Sequence, residues 1–268
     1  VSEQTAQTGA PVHDPQSVTT PEGLAYRVDA VGRPVGLPVD GWTPREPPRP
    51  QTLTGRYCRL EAWDAERHAE ALTAVLLAGT ADEVEIRWTY LFNRPAETAE
   101  VVAWLDGLAA TPGTWPMVLV VTDGGRDAVE GTATFMRTDV AHGAVEVGSI
   151  VYSAALQRSR AATEAMWLMA RHAVLDLGYR RYEWKCDALN APSRAAAARL
   201  GFTFEGIFRN AVVYKGRNRD TAWFAMTDDD VRALAPAYEA WLGPANFDAD
   251  GVQRASLSRL TAAALGRG

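Results

Sequence analysis

The sequence predicts an α/β (α+β) domain with a mixed, mainly antiparallel central sheet flanked by helices. An extended N-terminal leader precedes it and a C-terminal helical tail follows. Three observations carry this. Hydrophobic residues make up 47% of the 268, enough for a packed core. Short runs rich in Val, Leu and aromatic residues, bounded by Gly, Asp and Asn, alternate with longer stretches of helical period. Between Glu146 and Met226 a strand leads through a turn and an amphipathic helix to a second strand, and a crossing helix makes such a strand pair parallel.

Residues 1–52 read as a Pro-rich extension ending in Trp42-Thr43-Pro44-Arg45-Glu46-Pro47-Pro48-Arg49-Pro50. Proline fixes φ and lacks an N–H, so extended chain is expected there instead of helix or central strand, with the first part disordered. The domain proper spans 53–228. It opens with a strand over Leu53–Glu61 and a helix over Ala65–Ala78 that stops at Gly79. The segment Ala81–Arg94, which contains Arg87-Trp88-Thr89-Tyr90-Leu91-Phe92, precedes a helix over Pro95–Leu108.

Strands follow at Met117–Thr122, Val129–Phe135 and Ala144–Tyr152, the first two joined by a hairpin at Asp123-Gly124-Gly125. In the third, Val145, Val147, Ser149 and Val151 alternate with Glu146, Gly148 and Ile150, which predicts one face for each set. Thr163-Glu164-Ala165 opens the next helix. Its apolar stripe, from Ala162 through Met166, Met169 and Ala173 to Leu177, ends at Gly178. Arg181–Asp187 is a strand, and Ala191–Leu200 a short helix with Asn190 before it, Pro192 in its first turn and Gly201 after it. Phe202–Met226 closes as a hairpin. Residues 229–268 form the helical tail: Thr227-Asp228-Asp229-Asp230 caps a helix to Leu242, and a last helix covers Val252–Leu265.

Composition excludes several classes. A net charge of −6 argues against nucleic acid as a partner. The two cysteines, Cys58 and Cys186, and the four scattered histidines have no metal-type spacing, so no metal is expected. No apolar run is long enough to span a bilayer and no secretory pattern opens the chain, so the expected location is cytoplasmic, without a membrane partner.

The turn Leu156-Gln157-Arg158-Ser159-Arg160-Ala161-Ala162-Thr163 lies between strand and helix. Unpaired N–H groups and the positive end of the helix dipole converge in such a turn, which attracts an anion. Further on come Asn190-Ala191-Pro192-Ser193 and Leu200-Gly201-Phe202. Together these segments resemble the GNAT acyltransferase superfamily and, within it, the RimJ/RimL-like branch, over roughly Leu53–Asp228. The superfamily's pyrophosphate loop is matched at Gln157 and Ala162, whereas Arg160 stands where it has a central Gly.

The resemblance implies an N-acyltransferase using acetyl-CoA or another acyl-CoA as co-substrate, with direct attack by a primary amine in a ternary complex. It assigns the phosphates to Arg158, Ser159, Arg160, Ala161, Ala162 and Thr163, and the pantetheine arm to main-chain atoms of Ile150, Val151 and Tyr152 and to Asn190. Ser193 would serve the leaving thiolate and Glu146 the amine's proton. Trp88 and Tyr90 would line the acceptor cleft. A basic rim of Arg180, Arg181, Lys185, Arg194 and Arg199 would suit the CoA phosphates. The acceptor is a small-molecule or peptide amine, and a homodimer stays open. Two other readings stand beside this one: a donor carried on the phosphopantetheine of an acyl carrier protein, and a non-catalytic module that binds CoA or a metabolite.

Overall fold

The computed structural model describes residues 17–21, 23–49, 51–123 and 126–267. The chain divides into two compact units, Val1–Thr43 and Pro44–Gly268. Within the first, strands β1 (Val18–Thr19), β2 (Ala25–Val28) and β3 (Pro34–Gly36) form a small antiparallel sheet in that order. Extended chain alone was expected in this region. The hairpin forms because Asp29 organises the turn between β2 and β3: one carboxylate oxygen accepts from the N–H groups of Val31 (3.0 Å) and Arg33 (2.8 Å), and Gly32 adopts φ +86°. The disorder expected of the first residues concerns 1–16, which lie outside the described residues.

The prolines from Pro44 onward belong to the second unit. Arg45 donates from its backbone to Val140 O (2.9 Å) and from Nε to Gly178 O (3.0 Å), while the Tyr179 hydroxyl donates to Glu46 O (3.1 Å).

The second unit is built on one eight-stranded sheet. Its elements are β4 (Leu53–Thr54), β5 (Cys58–Ala62), α1 (Ala65–Leu76), α2 (Ala81–Trp88), α3 (Thr98–Ala109), β6 (Trp115–Asp123), β7 (Arg126–Asp139), β8 (Ala144–Tyr152) and α4 (Arg160–Arg171). Then come β9 (Arg181–Asp187), α5 (Ala191–Leu200), β10 (Thr203–Tyr214), β11 (Arg217–Thr227), α6 (Asp228–Leu242) and α7 (Leu257–Ala264). The strand order is β10-β11-β9-β8-β7-β6-β5-β4, and only β8 and β9 pair in parallel, as the crossing helix α4 requires. This is the mixed, mainly antiparallel architecture expected. The turn residues Gly124 and Gly125 of the first predicted hairpin lie outside the described residues.

Two cores flank the sheet. On β6, Met117 and Leu119 join one core, with Met169 of α4 and Leu234 of α6; Val118 and Val120 join the other, with Leu72 and Leu76 of α1 and Leu105 of α3. Strand period two explains the division.

Strand β8 departs from the predicted alternation. Val145 and Val147 face the α4 core, but Val151, of the same parity, faces the α1–α3 core. The cause is a bulge. Thr134 pairs with Gly148 and Thr132 with Val151, so β8 carries one residue more than β7 between those pairs. Ser149 takes the extra step at φ +48°. A second irregularity lies on β7 between Met136 and Asp139, where Arg137 adopts φ +49°.

The helix after the turn also differs from its prediction at both ends. It opens at Arg160, with Ser159 as N-cap, three residues before Thr163. Its α-helical part ends at Arg171, and a π-helical turn, His172–Asp176, carries the chain to Gly178. The last helix is shorter than predicted and begins only at Leu257, where Ser256 caps it.

Candidate active site

The parallel pairing of β8 with β9 runs from Ala144↔Arg181 to Val147↔Trp184 and stops there. Beyond it the two strands continue as separate arms, residues 148–152 on one side and 185–187 on the other. The strands diverge where the bulge at Ser149 bends β8.

At the end of the β8 arm, the Ser159 side chain accepts from Ala162 N (3.0 Å) and Ser159 N donates to Leu156 O (3.1 Å). Thr163 is already one turn inside the helix. Its N–H donates to Ser159 O (3.3 Å), and its hydroxyl donates to Ser159 O and accepts from Arg199. The N–H groups of Arg160 and Ala161 thus remain as donors at the helix start, without a protein acceptor among the described residues. Arg158 is exposed at φ +62°. The Arg160 guanidinium points elsewhere: it lies between the rings of Tyr57 (5.0 Å) and Phe247 (4.6 Å). Ala161 and Ala162 are buried against the core.

Asn190 stands at the end of the β9 arm as the N-cap of α5. Its Oδ1 accepts from Ser193 N (3.1 Å), which leaves the amide NH₂ to donate. Ser193 Oγ accepts from Trp184 Nε1 (3.0 Å), so the hydroxyl keeps its own proton to give. Burial pushes the neighbouring Cys186 thiol up, against an opposing hydrogen bond from Ser193. Cys58 is pushed up more strongly, by burial and by the Glu164 carboxylate beside it. Both cysteines are buried and unpaired.

On the other side of the sheet, a cleft of about 360 Å³ opens over the two bulges. Its floor is Met136, Arg137 and Ser149, and its walls include Trp88, Leu91 and Phe92, with Trp104 of α3. The hairpin tip between β10 and β11 fixes the 88–92 wall: Lys215 donates to Trp88 O (2.7 Å), Arg217 to Thr89 O (3.1 Å), and Arg219 lies over Phe92 (5.2 Å). Trp88 is fully buried in the second core and packs edge-on against Trp104. Tyr90 does not line the cleft; its hydroxyl donates to Leu189 O (3.2 Å), bridging to the loop after β9.

Glu146 is buried, not solvent-facing as a strand glutamate commonly is. Both its oxygens accept from Arg137 (2.7 Å each) and one also contacts Lys185 (2.9 Å). Lys185 continues to Glu183 (2.7 Å), Glu183 to Arg181 (2.6 Å) and Arg181 to Glu205 (2.5 Å), an alternating chain of charges along the sheet. Burial disfavours the charge on Glu183, but its bonds to Arg181 and Lys185 outweigh that and hold its carboxyl below the usual range.

The expected basic rim is therefore not one surface. Arg181 and Lys185 belong to this charge chain, Arg199 is spent on Thr163 and on the Trp241 ring, and Arg194 donates to Ala188 O and lies over Phe204. Among the described residues no group of three or more His, Cys, Asp or Glu is placed to hold a metal, and no helix is long and apolar enough to cross a membrane.

Sequence reasoning missed Arg137, Ser149 and Trp104. The signal for Ser149 was Gly148, a glycine inside an alternating strand, which often marks a bulge; the irregularity on β7 that holds Arg137 has no such mark.

A family description of the acetyltransferase (GNAT) domain matches residues 58–203. The crystal structure of a GCN5-related N-acetyltransferase from Brucella melitensis is 43% identical, covers 83% of this chain and 99% of its own, and superposes with a TM-score of 0.78. A GNAT-family protein from Chromobacterium violaceum is 36% identical over 73% of this chain and 96% of its own, with a TM-score of 0.67. RimL, the ribosomal L7/L12 α-N-protein acetyltransferase, in complex with coenzyme A, shares the fold at 18% identity over 66% of this chain and 98% of its own, with a TM-score of 0.56. No curated protein matches the chain. The family match over residues 58–203 and the 43% identity over 83% of the chain show that it belongs to the GNAT acetyltransferase family.

Proposed function

We propose that this acyltransferase moves an acetyl group from acetyl-CoA to a primary amine by direct attack in a ternary complex, in the manner of the RimL-like branch. The observation that carries the reading is the gap between β8 and β9. Ser149, where β8 parts from β9, also floors the cleft, and α4 starts with free N–H groups at the end of one arm.

The residues fit a CoA thioester. Arg160 and Ala161 offer main-chain N–H groups to a phosphate, and Arg158 adds an exposed charge at the same turn. The Asn190 amide offers a donor to the pantetheine arm. Residues 150–152 on the β8 arm have an edge unpaired by β9, against which that arm can lie as an added strand. Arg160 replaces glycine without closing the turn, because its side chain is held between two rings.

The acyl thioester supplies an electrophilic carbon; the amine nitrogen bonds to it as the carbon–sulfur bond breaks, and the sulfur leaves as thiolate. A main-chain N–H on the β8 arm, unpaired by β9, would donate to the carbonyl oxygen as it gains charge. Ser193, whose oxygen accepts from Trp184, would turn its proton from Cys186 to the leaving sulfur. Cys58 and Cys186, buried thiols outside the cleft lining, have no part in a direct transfer.

Glu146 was the expected base. We assign it a positioning role instead: both its oxygens already accept from Arg137, and it holds that guanidinium at the cleft floor. The amine's proton passes to solvent.

Ligands that bind only the folded state raise its stability by mass action, about 2.7 kcal/mol at a hundredfold excess over Kd. Saturating acetyl-CoA is expected to raise the melting temperature, and an acetylated phosphopantetheinyl carrier protein is not. The reverse pattern would transfer the donor role to a carrier protein. No shift with either would overturn the donor reading.

A further inference from the structure

We infer that the acceptor is an amino carboxylate with an apolar, ring-sized body, of the chemical class of an aromatic amino acid, whose carboxylate is read by Arg137. This rests on the acetyl-transfer reading and names its acceptor class. The cleft, at about 360 Å³, is at the small-molecule end of ligand sites and does not suit a folded partner surface. Its walls are apolar and aromatic: Trp88, Leu91, Phe92 and Trp104, with Met136 on the floor. Such walls select a flat or branched hydrophobic body by stacking and burial.

Arg137 is the single charged residue among those lining the cleft. Its side chain is half exposed, and one terminal nitrogen holds both oxygens of Glu146. The rest of the guanidinium fork remains for a planar anion. The charge chain Arg137–Glu146–Lys185–Glu183–Arg181–Glu205 alternates in sign and presents its positive end to the cleft. Glu100, on the wall of an adjoining depression, already accepts from Ala96 N (2.7 Å) through Oε2. Glu100 lines only that depression, so a polycation finds no carboxylate lining the cleft itself, whereas a carboxylate finds a guanidinium.

Two further observations support a ligand here. Arg137 and Ser149, both on the cleft floor, each occupy the left-handed region with a non-glycine side chain, at φ +49° and +48°. Such strain is retained where the surrounding structure enforces it, commonly at binding sites. The indole N–H of Trp88 is buried without a hydrogen-bond partner, a state that native structures seldom leave unused.

The test is calorimetric titration of the CoA-saturated protein with L-phenylalanine, phenethylamine (the same body without the carboxylate) and spermidine. L-phenylalanine is expected to bind at least tenfold tighter than phenethylamine, and spermidine weakest. Arg137→Gln should erase the tenfold difference, with phenethylamine binding retained as evidence that the cleft is still formed. Equal affinity of the two aromatic ligands, tightest binding of spermidine, or an unchanged preference in the folded Arg137→Gln protein would overturn the assignment. Thiol release from acetyl-CoA, followed on the same ligands, reports on transfer separately. The predicted binding order without thiol release counts against the proposed function, and transfer that favours phenethylamine or spermidine counts against the acceptor class.

Discussion

Glu146 and Glu164 are both buried carboxylates, and their partners separate their roles. Glu164, on α4, accepts from three successive main-chain N–H groups, those of Arg56 (2.8 Å), Tyr57 (2.6 Å) and Cys58 (2.9 Å). It closes the turn between β4 and β5 and is not among the cleft-lining residues. Glu164→Gln puts an NH₂ donor against one of those N–H groups, and a buried unpaired donor costs about 1–3 kcal/mol. Urea unfolding should show a loss of about 2 kcal/mol; an unmoved midpoint would contradict the assignment. Glu146 instead holds a guanidinium at the cleft floor. In Glu146→Gln, the KM for the acceptor should rise about tenfold with the acid limb of the pH–rate profile retained. A positioned general base contributes about 10²–10⁴-fold, so loss of that limb together with a fall in kcat of this size would return proton removal to Glu146.

At the scale of elements, the strands were legible wherever period two held without interruption. β9 and α5 have the predicted bounds, as does the helix capped by Thr227, where Thr227 and Asp230 form a reciprocal capping box. The bulge was marked in the sequence only by Gly148, and the shared parity of Val145, Val147 and Val151, which one extra residue reverses, concealed it. Its consequence reaches the site: it turns Ser149 into the cleft floor and coincides with the end of pairing to β9. The helix start was misplaced for a different reason. Thr163 is as good a cap as Ser159 by residue type, and only the hydrogen bond from Ala162 N to Ser159 Oγ distinguishes them.

The left-handed conformation of Ser149 yields a prediction for the bulge. A non-glycine residue there costs roughly 1–2 kcal/mol, and a β-branched one is an outlier. Ser149→Val should therefore destabilise the protein by at least about 1 kcal/mol, while Ser149→Gly keeps or raises stability. Equal melting temperatures for the two variants would mean that the strand does not need the bulge.

For the molecule as a whole, the family was legible because the turn before α4, Asn190 and Ser193 at the start of α5, and Gly201-Phe202 after it fall in order along strand, helix, strand, helix and hairpin. The acceptor side was less legible. Its cleft is assembled from segments far apart in the chain, the 88–92 wall, α3, β7 and β8, and is braced by the hairpin tip at 215–219. No local periodicity encodes such a meeting. The proposed function requires acetyl-CoA to occupy the gap between β8 and β9 with its phosphates at the start of α4. Amide hydrogen exchange with and without saturating CoA tests that claim most directly. Added protection is expected chiefly at residues 149–152 and at the amides of Arg160 and Ala161. CoA that binds while leaving both segments unchanged, or that protects a different region, would contradict it.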